Sequence, residues 1–427
     1  MADRQFEYEK EDHSAAFTND FVFNQLIPYI GNKRKLLGLI QEAIIKTDVK
    51  NGTFLDCFAG SGVVSRMAKK MGYRVLCNDW EPYALEINRC YIEGTTPPLF
   101  QPFGGYEQAI AMLNALEPVE GWVARHLCPS DDTNYDILRD RMFYTRANGM
   151  MLDAIRAKIN EWEGDNLIDS SEKASLLAPL LYQTCYTSNT SGVFKGFHNG
   201  WGGQTKTALY RILPKLQLKP AVFFDNQQAN RVFKMESLEV AAYLKHHAIP
   251  VDIAYLDPPY NQHPYGSNYH VLNTIALWDS PPLTEKIQGR NKAAIREDWR
   301  TQRRSAYNYK GDAEIAYARL IRALDAKYIL TSYSTDGMIP LPALVRLCVE
   351  RGHTEVVSRK YKRYRVSSQR FSDKPVNIEF ILVTDTSRTH RGYPANQLCE
   401  RIVSAEEAAL ENHPETASRQ FDQMNLF

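Results

Sequence analysis

The chain has no Cys-x-x-Cys pair. Its seven cysteines, Cys57, Cys77, Cys90, Cys128, Cys185, Cys348 and Cys399, are scattered and odd in number, so neither a zinc site nor a disulfide framework is expected. No apolar run approaches the roughly 20 residues that span a bilayer, and the polar start MADRQFEYEKEDHS lacks the apolar core of a secretory signal. No membrane partner and a cytoplasmic setting are therefore expected. An excess of one charge sign is also missing. The 51 Lys plus Arg against 50 Asp plus Glu leave a formal +1, which excludes a uniformly basic nucleic-acid coat but not a local basic patch. No G-x-S-x-G elbow supports a Ser-His-Asp hydrolase. His126 and the pair His246-His247 lack ligand spacing, and no metal site is expected.

What is present is a chain of 427 residues with 44% apolar content, enough for two to three domains and at least one sizeable core. Residues 1–20 read as a polar tail. A Gly-Asn turn at Gly31-Asn32 opens a helix-like run over 35–45. A short apolar strand then runs into the small residues of 57–62, followed by a helix over Val63–Lys70, a second strand over 73–79 and a second helix over 82–91. Strand, glycine turn and helix in that order open a doubly wound α/β unit. From about 95 the rhythm changes to longer helical stretches at 107–116, 135–162 and 172–186, then a Gly- and Asn-rich stretch over 187–203. A strand-like 222–224, a helix from 237 to 246 and buried-looking strands at 251–256, 328–333 and 378–383 resume the alternation. The spacing predicts a sheet domain from 21–95 and 221–390, an inserted domain over 96–220, and a C-terminal tail over 391–427 whose start is acidic and helical.

Two turns carry candidate chemistry. In Asp56-x-Phe58-x-Gly60-x-Gly62, glycines after a strand let the backbone approach a ligand, and Asp79 at the end of the next strand is placed to accept both hydroxyls of a ribose. Ser65 stands where a dinucleotide motif has its third glycine, so a nucleoside without phosphates fits better; taken alone, structural glycine packing explains the turn as well. The second turn, Asp257-Pro258-Pro259-Tyr260, follows an apolar strand. Its prolines withdraw two backbone donors and stiffen the chain, leaving a carboxylate and carbonyl oxygens beside an aromatic face. Such a site suits an exocyclic amine, although the tetrapeptide alone is also a rigid surface turn. Cys57 reads as a small buried residue rather than a nucleophile.

Taken together, Pro28-Tyr29-Ile30-Gly31-Asn32-Lys33, the 56–62 turn and the 257–260 turn, in that order and with a long insertion between the last two, resemble the alpha-group (Dam-like) DNA adenine N6-methyltransferases. The resemblance covers most of 24–385. It implies an α/β fold, a Rossmann-like S-adenosylmethionine-dependent methyltransferase sheet with an inserted, mainly helical target-recognition domain. It implies S-adenosyl-L-methionine as methyl donor, held by Tyr29, Gly31, Lys33, Asp56, Phe58, Gly60, Gly62 and Asp79. Where the family has an aspartate near the cofactor's adenine ring, Glu236, followed by Ser237, is the nearest match. The segments 261–270 and 331–337 also look familial, with Ser334 where relatives carry Asn.

The reaction implied is direct in-line displacement at N6 of an adenine flipped out of double-stranded DNA, flipping costing a few kcal/mol. Asp257 and the Pro258 carbonyl accept the N6 hydrogens, Pro259 completes the stiff turn and Tyr260 stacks on the base. A restriction-modification system with a separately acting endonuclease, or an orphan methylase, in a bacterial or phage setting near the nucleoid, is the implied context. Methylation of cytosine N4 and a catalytically silent DNA-binding homologue remain alternatives.

Two basic segments fit DNA phosphates. One runs over 286–310 with Lys286, Arg290, Lys292, Arg296, Arg300, Arg303 and Arg304, the other over 359–370 with Arg359, Lys360, Lys362, Arg363, Arg365 and Arg370. Each is equally readable as a solvated charged face. Sequence choice is expected from the inserted loop, where Asn189, Lys195, His198 and Asn199 stand among Phe194, Phe197 and Trp201, unless that loop is a structural Ω-loop.

Overall fold

The computed structural model describes residues 20–283, 287, 291–362 and 376–411. Seven strands form one sheet: β1 (Thr53–Asp56), β2 (Arg74–Asn78), β3 (Arg231–Phe233), β4 (Val251–Leu256), β5 (Ala326–Ser334), β6 (His353–Lys362) and β7 (Val376–Asp385). Their order is β3-β2-β1-β4-β5-β7-β6, parallel through β5, with β7 antiparallel to both β5 and β6. The inner strands are almost continuously apolar because both faces are covered. Phe54, Ile253, Tyr255 and Ile381 face one core, and their neighbours Leu55, Ala254, Leu256 and Leu382 face the other. Each core thus takes alternate residues of the same strand.

One face is covered by the helices Ser237–His246, Lys310–Ala323, Leu341–Arg351 and Ala395–Glu411. The other carries the helices Leu37–Ile45, Val63–Lys70 and Pro82–Asn88, and its apolar core continues without a break into Leu152, Leu176, Leu180 and Phe194 of the 96–220 segment. Arg156, buried there, donates to the carbonyls of Ile275 and Ala276 at 2.8 and 3.4 Å. The described residues of 96–220 contain helices and no strand.

Several expectations need correction. The apolar 222–224 forms no strand; Phe224 packs against Phe21 as irregular chain, and the edge strand is the three-residue β3. Residues 128–145 are mostly loop, and the helix expected from 135 starts at Arg146, where the Thr145 hydroxyl caps it by accepting from the Asn148 amide. The described part of the basic segment 359–370, residues 359–362, forms the end of β6. The helix expected at the start of the 391–427 tail is present as Ala395–Glu411, and it packs, with Leu398 and Ile402 buried against the sheet's antiparallel end. Among the described residues no helix is long and apolar enough to cross a membrane.

Candidate active site

The strand order places β1 between β2 and β4, so the chain leaves β1 and β4 on opposite sides and a crevice opens at their carboxyl ends. Asp56 ends β1, Asp79 follows β2 and Asp257 follows β4, three carboxylates at neighbouring strand tips. Asn78 ties these tips together, donating to the carbonyls of Cys57 and Met235 and accepting the Met235 amide, all at 3.1 Å. The resulting cleft has a volume of about 950 Å³ including its open mouth. Tyr29, Gly31, Lys33, Asp56, Phe58, Asp79, Glu236, Ser237, Asp257 and Pro259 all line it, so two sequence-distant turns share one cavity.

The glycine turn forms one wall. Gly60 has φ +51°, and a Cβ there would lie 2.7 Å from the Tyr29 ring, so only glycine leaves room for that ring. The Gly60 and Glu81 amides donate to the two Asp79 oxygens at 2.7 and 2.8 Å, fixing the carboxylate at the rim. Gly62 starts the Val63–Lys70 helix with φ +78°, and any side chain there would collide with Asn88. Tyr29 stacks against both Tyr265 and Tyr269, with ring centroids 5.0 and 4.9 Å away, and its hydroxyl shares a 2.9 Å hydrogen bond with Tyr83. Gly31, at φ +74°, passes close to the Tyr265 and Tyr260 hydroxyls. Phe58 meets the edge of Tyr307 at 5.3 Å.

Asp56 Oδ2 accepts the Ser65 hydroxyl at 2.7 Å, while its buried Oδ1 has no hydrogen-bond partner among the described residues. Burial pushes this carboxyl up to about 7, against the Ser65 hydrogen bond. Glu236 is the N-cap of the Ser237–His246 helix, accepting the Leu238 amide and the Ser237 hydroxyl, each at 2.6 Å; the acidic residue at this place thus has a capping role of its own. Burial pushes the Cys57 thiol well up, which keeps it from acting as a thiolate.

The 257–260 turn meets Lys33. The lysine expected at the cofactor lines the cleft and directs its ammonium to Asp257 Oδ1 at 3.0 Å, to the Tyr260 hydroxyl at 3.3 Å and towards Glu379 Oε2 at 3.7 Å. Burial alone would lower its pKa, but Asp257 first, then Tyr260 and Glu379, outweigh that and hold Lys33 charged. Burial raises the Asp257 carboxyl to about 6, with Lys33 opposing the rise. The pair does not seal the site, because Asp257 and Pro259 still line the cleft. Tyr260 meets Tyr333 edge-on at 5.7 Å, and Tyr333 accepts the Ile339 amide at 3.0 Å. The Ser334 hydroxyl is buried without a hydrogen-bond partner among the described residues.

The inserted loop over 187–203 is built around Asn189, which is buried. Its amide donates to the carbonyls of Met142, His198 and Gly200, and its oxygen accepts the Gly202 amide at 3.0 Å. For Asn189, then, the structural reading holds. Phe194 is buried too, its amide donating to the Asn268 carbonyl at 2.7 Å and its carbonyl accepting from His270 at 2.9 Å, which docks the loop on the segment following the catalytic turn. Lys195 Nζ lies 3.3 Å from His263 Nδ1, Asn199 accepts from Lys292 at 3.2 Å, and the His198 ring packs on Gly203.

The expected phosphate contacts divide. Arg303 is turned inward, donating to Glu81 and Asp298 at 2.6 Å each, and lines the cleft, so its guanidinium is engaged by carboxylates. Arg296 is similarly taken up by Asp279 and Asp298. Arg304 is exposed, 3.9 Å over the Tyr309 ring and 3.4 Å from Asp312. Lys362 ends β6, whereas Lys286, Arg290, Arg363, Arg365 and Arg370 lie outside the described residues. Glu81, Tyr307 and Glu379 were not singled out from sequence. Glu379 had a signal, an acid flanked by Ile378 and Phe380 in an apolar strand.

The chain matches the family described as D12 class N6 adenine-specific DNA methyltransferase over residues 29–302. It is 30% identical over 355 residues to the Type II methyltransferase M.NlaIII of Neisseria lactamica, covering 82% of this chain and 96% of that protein. To the modification methylase LlaI of Lactococcus lactis subsp. lactis it is 30% identical over 366 residues, 83% of this chain but only 54% of that longer protein. To the Type II methyltransferase M.CviAII of Paramecium bursaria Chlorella virus 1 it is 29% identical over 341 residues, 79% of this chain and 93% of the relative. With both motif turns meeting in one cleft of a Rossmann-like sheet, the chain belongs to the family of D12 class N6 adenine-specific DNA methyltransferases.

Proposed function

We propose that this site-specific adenine methyltransferase takes its methyl group from S-adenosyl-L-methionine and delivers it to N6 of an adenine turned out of double-stranded DNA. The observation that carries the reading is Asp257 in the same cleft as Asp56, Phe58 and Asp79. The donor fits these residues. Asp56, Asp79, Glu81 and Glu236 line the cleft, and Asp56 Oδ1 is a buried acceptor in need of a partner, which suits a cationic ligand. When bound, S-adenosyl-L-methionine supplies a methyl group on positively charged sulfur, which an amine can take directly.

The residues of the chain then prepare the amine. The adenine N6 lone pair is delocalised into the ring, so the site must favour a pyramidal nitrogen in the transition state. Asp257 and the Pro258 carbonyl accept its two hydrogens, the prolines hold those acceptors rigid, and Tyr260 stacks on the base. Asp79 takes the ribose hydroxyls, and Tyr29, Gly31, Phe58, Gly60 and Gly62 shape the donor side, with Glu236 and Ser237 at its far end. The 96–220 segment, between the catalytic parts at 21–95 and 221–390, reads the target sequence through Lys195, His198 and Asn199. Arg304, Lys362, Arg363 and Arg365 meet phosphates. The relatives' printed names, Type II methyltransferase and modification methylase, support a modification role, which we place beside a separately acting endonuclease in bacterial or phage-infected cytoplasm.

Incubation with labelled S-adenosyl-L-methionine and unmodified genomic DNA, followed by digestion to nucleosides, tests the reading. N6-methyladenine is expected. N4-methylcytosine, or no labelled nucleoside from a folded protein that binds DNA, would overturn it.

A further inference from the structure

A buried ion cluster beneath the catalytic turn contains one more carboxylate than the reaction derived above uses. Glu379 stands on β7 opposite Ser334 of β5, and its side chain is 9% exposed. The Lys33 ammonium, 4% exposed, lies between Asp257 Oδ1 at 3.0 Å and Glu379 Oε2 at 3.7 Å. Tyr260 and Tyr255 also face this lysine, and Asp56 faces Asp257 from β1. Beyond Lys33, no hydrogen bond reaches Asp257 Oδ1 or Glu379 Oε2 among the described residues, so both oxygens depend on this ammonium. A target amine docking on Asp257 must compete with Lys33 for that carboxylate. As methyl transfer proceeds, the amine also gains positive charge, which an ammonium 3.0 Å from the same oxygen opposes. Expelling the ammonium to water is not an option open to a fully buried stem, but a short move towards Glu379 keeps it paired.

We propose that Glu379 is a positioning residue for methyl transfer: Lys33 pairs with Asp257 in the free protein and passes to Glu379 when the target amine takes Asp257. The inference rests on the adenine-N6 reading above. It assigns Glu379 no contact with base or donor. Its effect runs wholly through Lys33.

The test is a double-mutant cycle on the full-length chain with S-adenosyl-L-methionine and unmodified genomic DNA as substrates, following N6-methyladenine. Glu379→Gln is expected to lower kcat roughly tenfold or more while donor Kd stays within about twofold. In the Lys33→Met background the same substitution is expected to change kcat by less than about twofold, because there is no ammonium left to receive. The acid limb of kcat/KM, which reports the free enzyme, is expected to move to lower pH in Glu379→Gln and to higher pH in Lys33→Met. Equal losses from Glu379→Gln in both backgrounds, or an acid limb that stays in place, would overturn the proposal in favour of a structural glutamate. If Glu379→Gln is unfolded by circular dichroism, Glu379→Asp carries the test. Since it keeps the charge, it is expected to retain the parent acid limb and most of kcat in the Lys33 background, and a loss repeated in full in the Lys33→Met background would overturn the proposal. A parent protein that leaves adenine unmodified defeats the functional reading itself; a parent that methylates adenine while the cycle shows no coupling defeats only the second station for Lys33.

Discussion

The Arg303 guanidinium donates to Glu81 Oε2 at 2.6 Å, joining the segment that follows the catalytic loop to the residue two positions beyond Asp79. Asn273 donates to the same oxygen at 2.6 Å, and Asp298 takes the other side of Arg303. Removing one partner of such a buried pair leaves the other charge uncompensated, at about 3 to 5 kcal/mol. Arg303→Met is therefore expected to lower the unfolding free energy by roughly that amount and to weaken donor binding. It should leave the slope of DNA affinity against salt unchanged, as measured by denaturant melts, calorimetry and a salt titration. A shallower slope would return Arg303 to the phosphates.

Asp56 gives a pH signature of stability. Its folded-state pKa is raised to about 7 from 3.8, chiefly by burial, so the folded protein binds more protons than the unfolded chain between these values. Stability from this group is undiminished below about pH 4 and falls as pH rises through about 7, by on the order of a few kcal/mol. Asp56→Asn removes the titration. It is expected to flatten the fall in stability between pH 4 and 8 relative to the parent in thermal melts without ligand, while weakening donor binding. Parallel curves for the two proteins would contradict the assignment.

Asn189 and Lys195, in one loop, are expected to behave differently. Asn189 makes four hydrogen bonds with backbone groups from a buried position, and Asn189→Ala strands those groups, each orphan costing about 1 to 3 kcal/mol. A loss of stability together with loss of target choice is expected. Lys195→Ala should leave denaturant midpoints near the parent value and change only DNA binding. The reverse pattern would exchange the two roles.

The catalytic turn and the cofactor turn were legible because each is local: a strand, a few small or stiff residues and a carboxylate, all adjacent in the chain. Asp56 and Asp257 accordingly fall in the cleft foreseen for them. Side-chain direction was not legible where it depends on distant residues. Nothing near Lys33 in sequence announces Asp257 or Glu379, and nothing near Arg303 announces Glu81, so the buried partners of both cations went unforeseen. The strands missed at the edges failed for a related reason. β3 is only Arg231-Val232-Phe233 with Arg231 exposed, and its place is fixed by pairing with β2; the more apolar 222–224 packs without pairing. The alternation in β6 was obscured by Arg359, Lys360 and Lys362, which read as a basic surface.

The most direct test of the account is Asp257→Ala assayed for methyl transfer and donor binding side by side. Loss of the main acceptor for the target amine should lower kcat by on the order of 100-fold or more, while donor Kd changes by no more than a few fold, because Asp56, Asp79 and the Gly60 turn remain. N6-methyladenine formed at near the parent rate would contradict it.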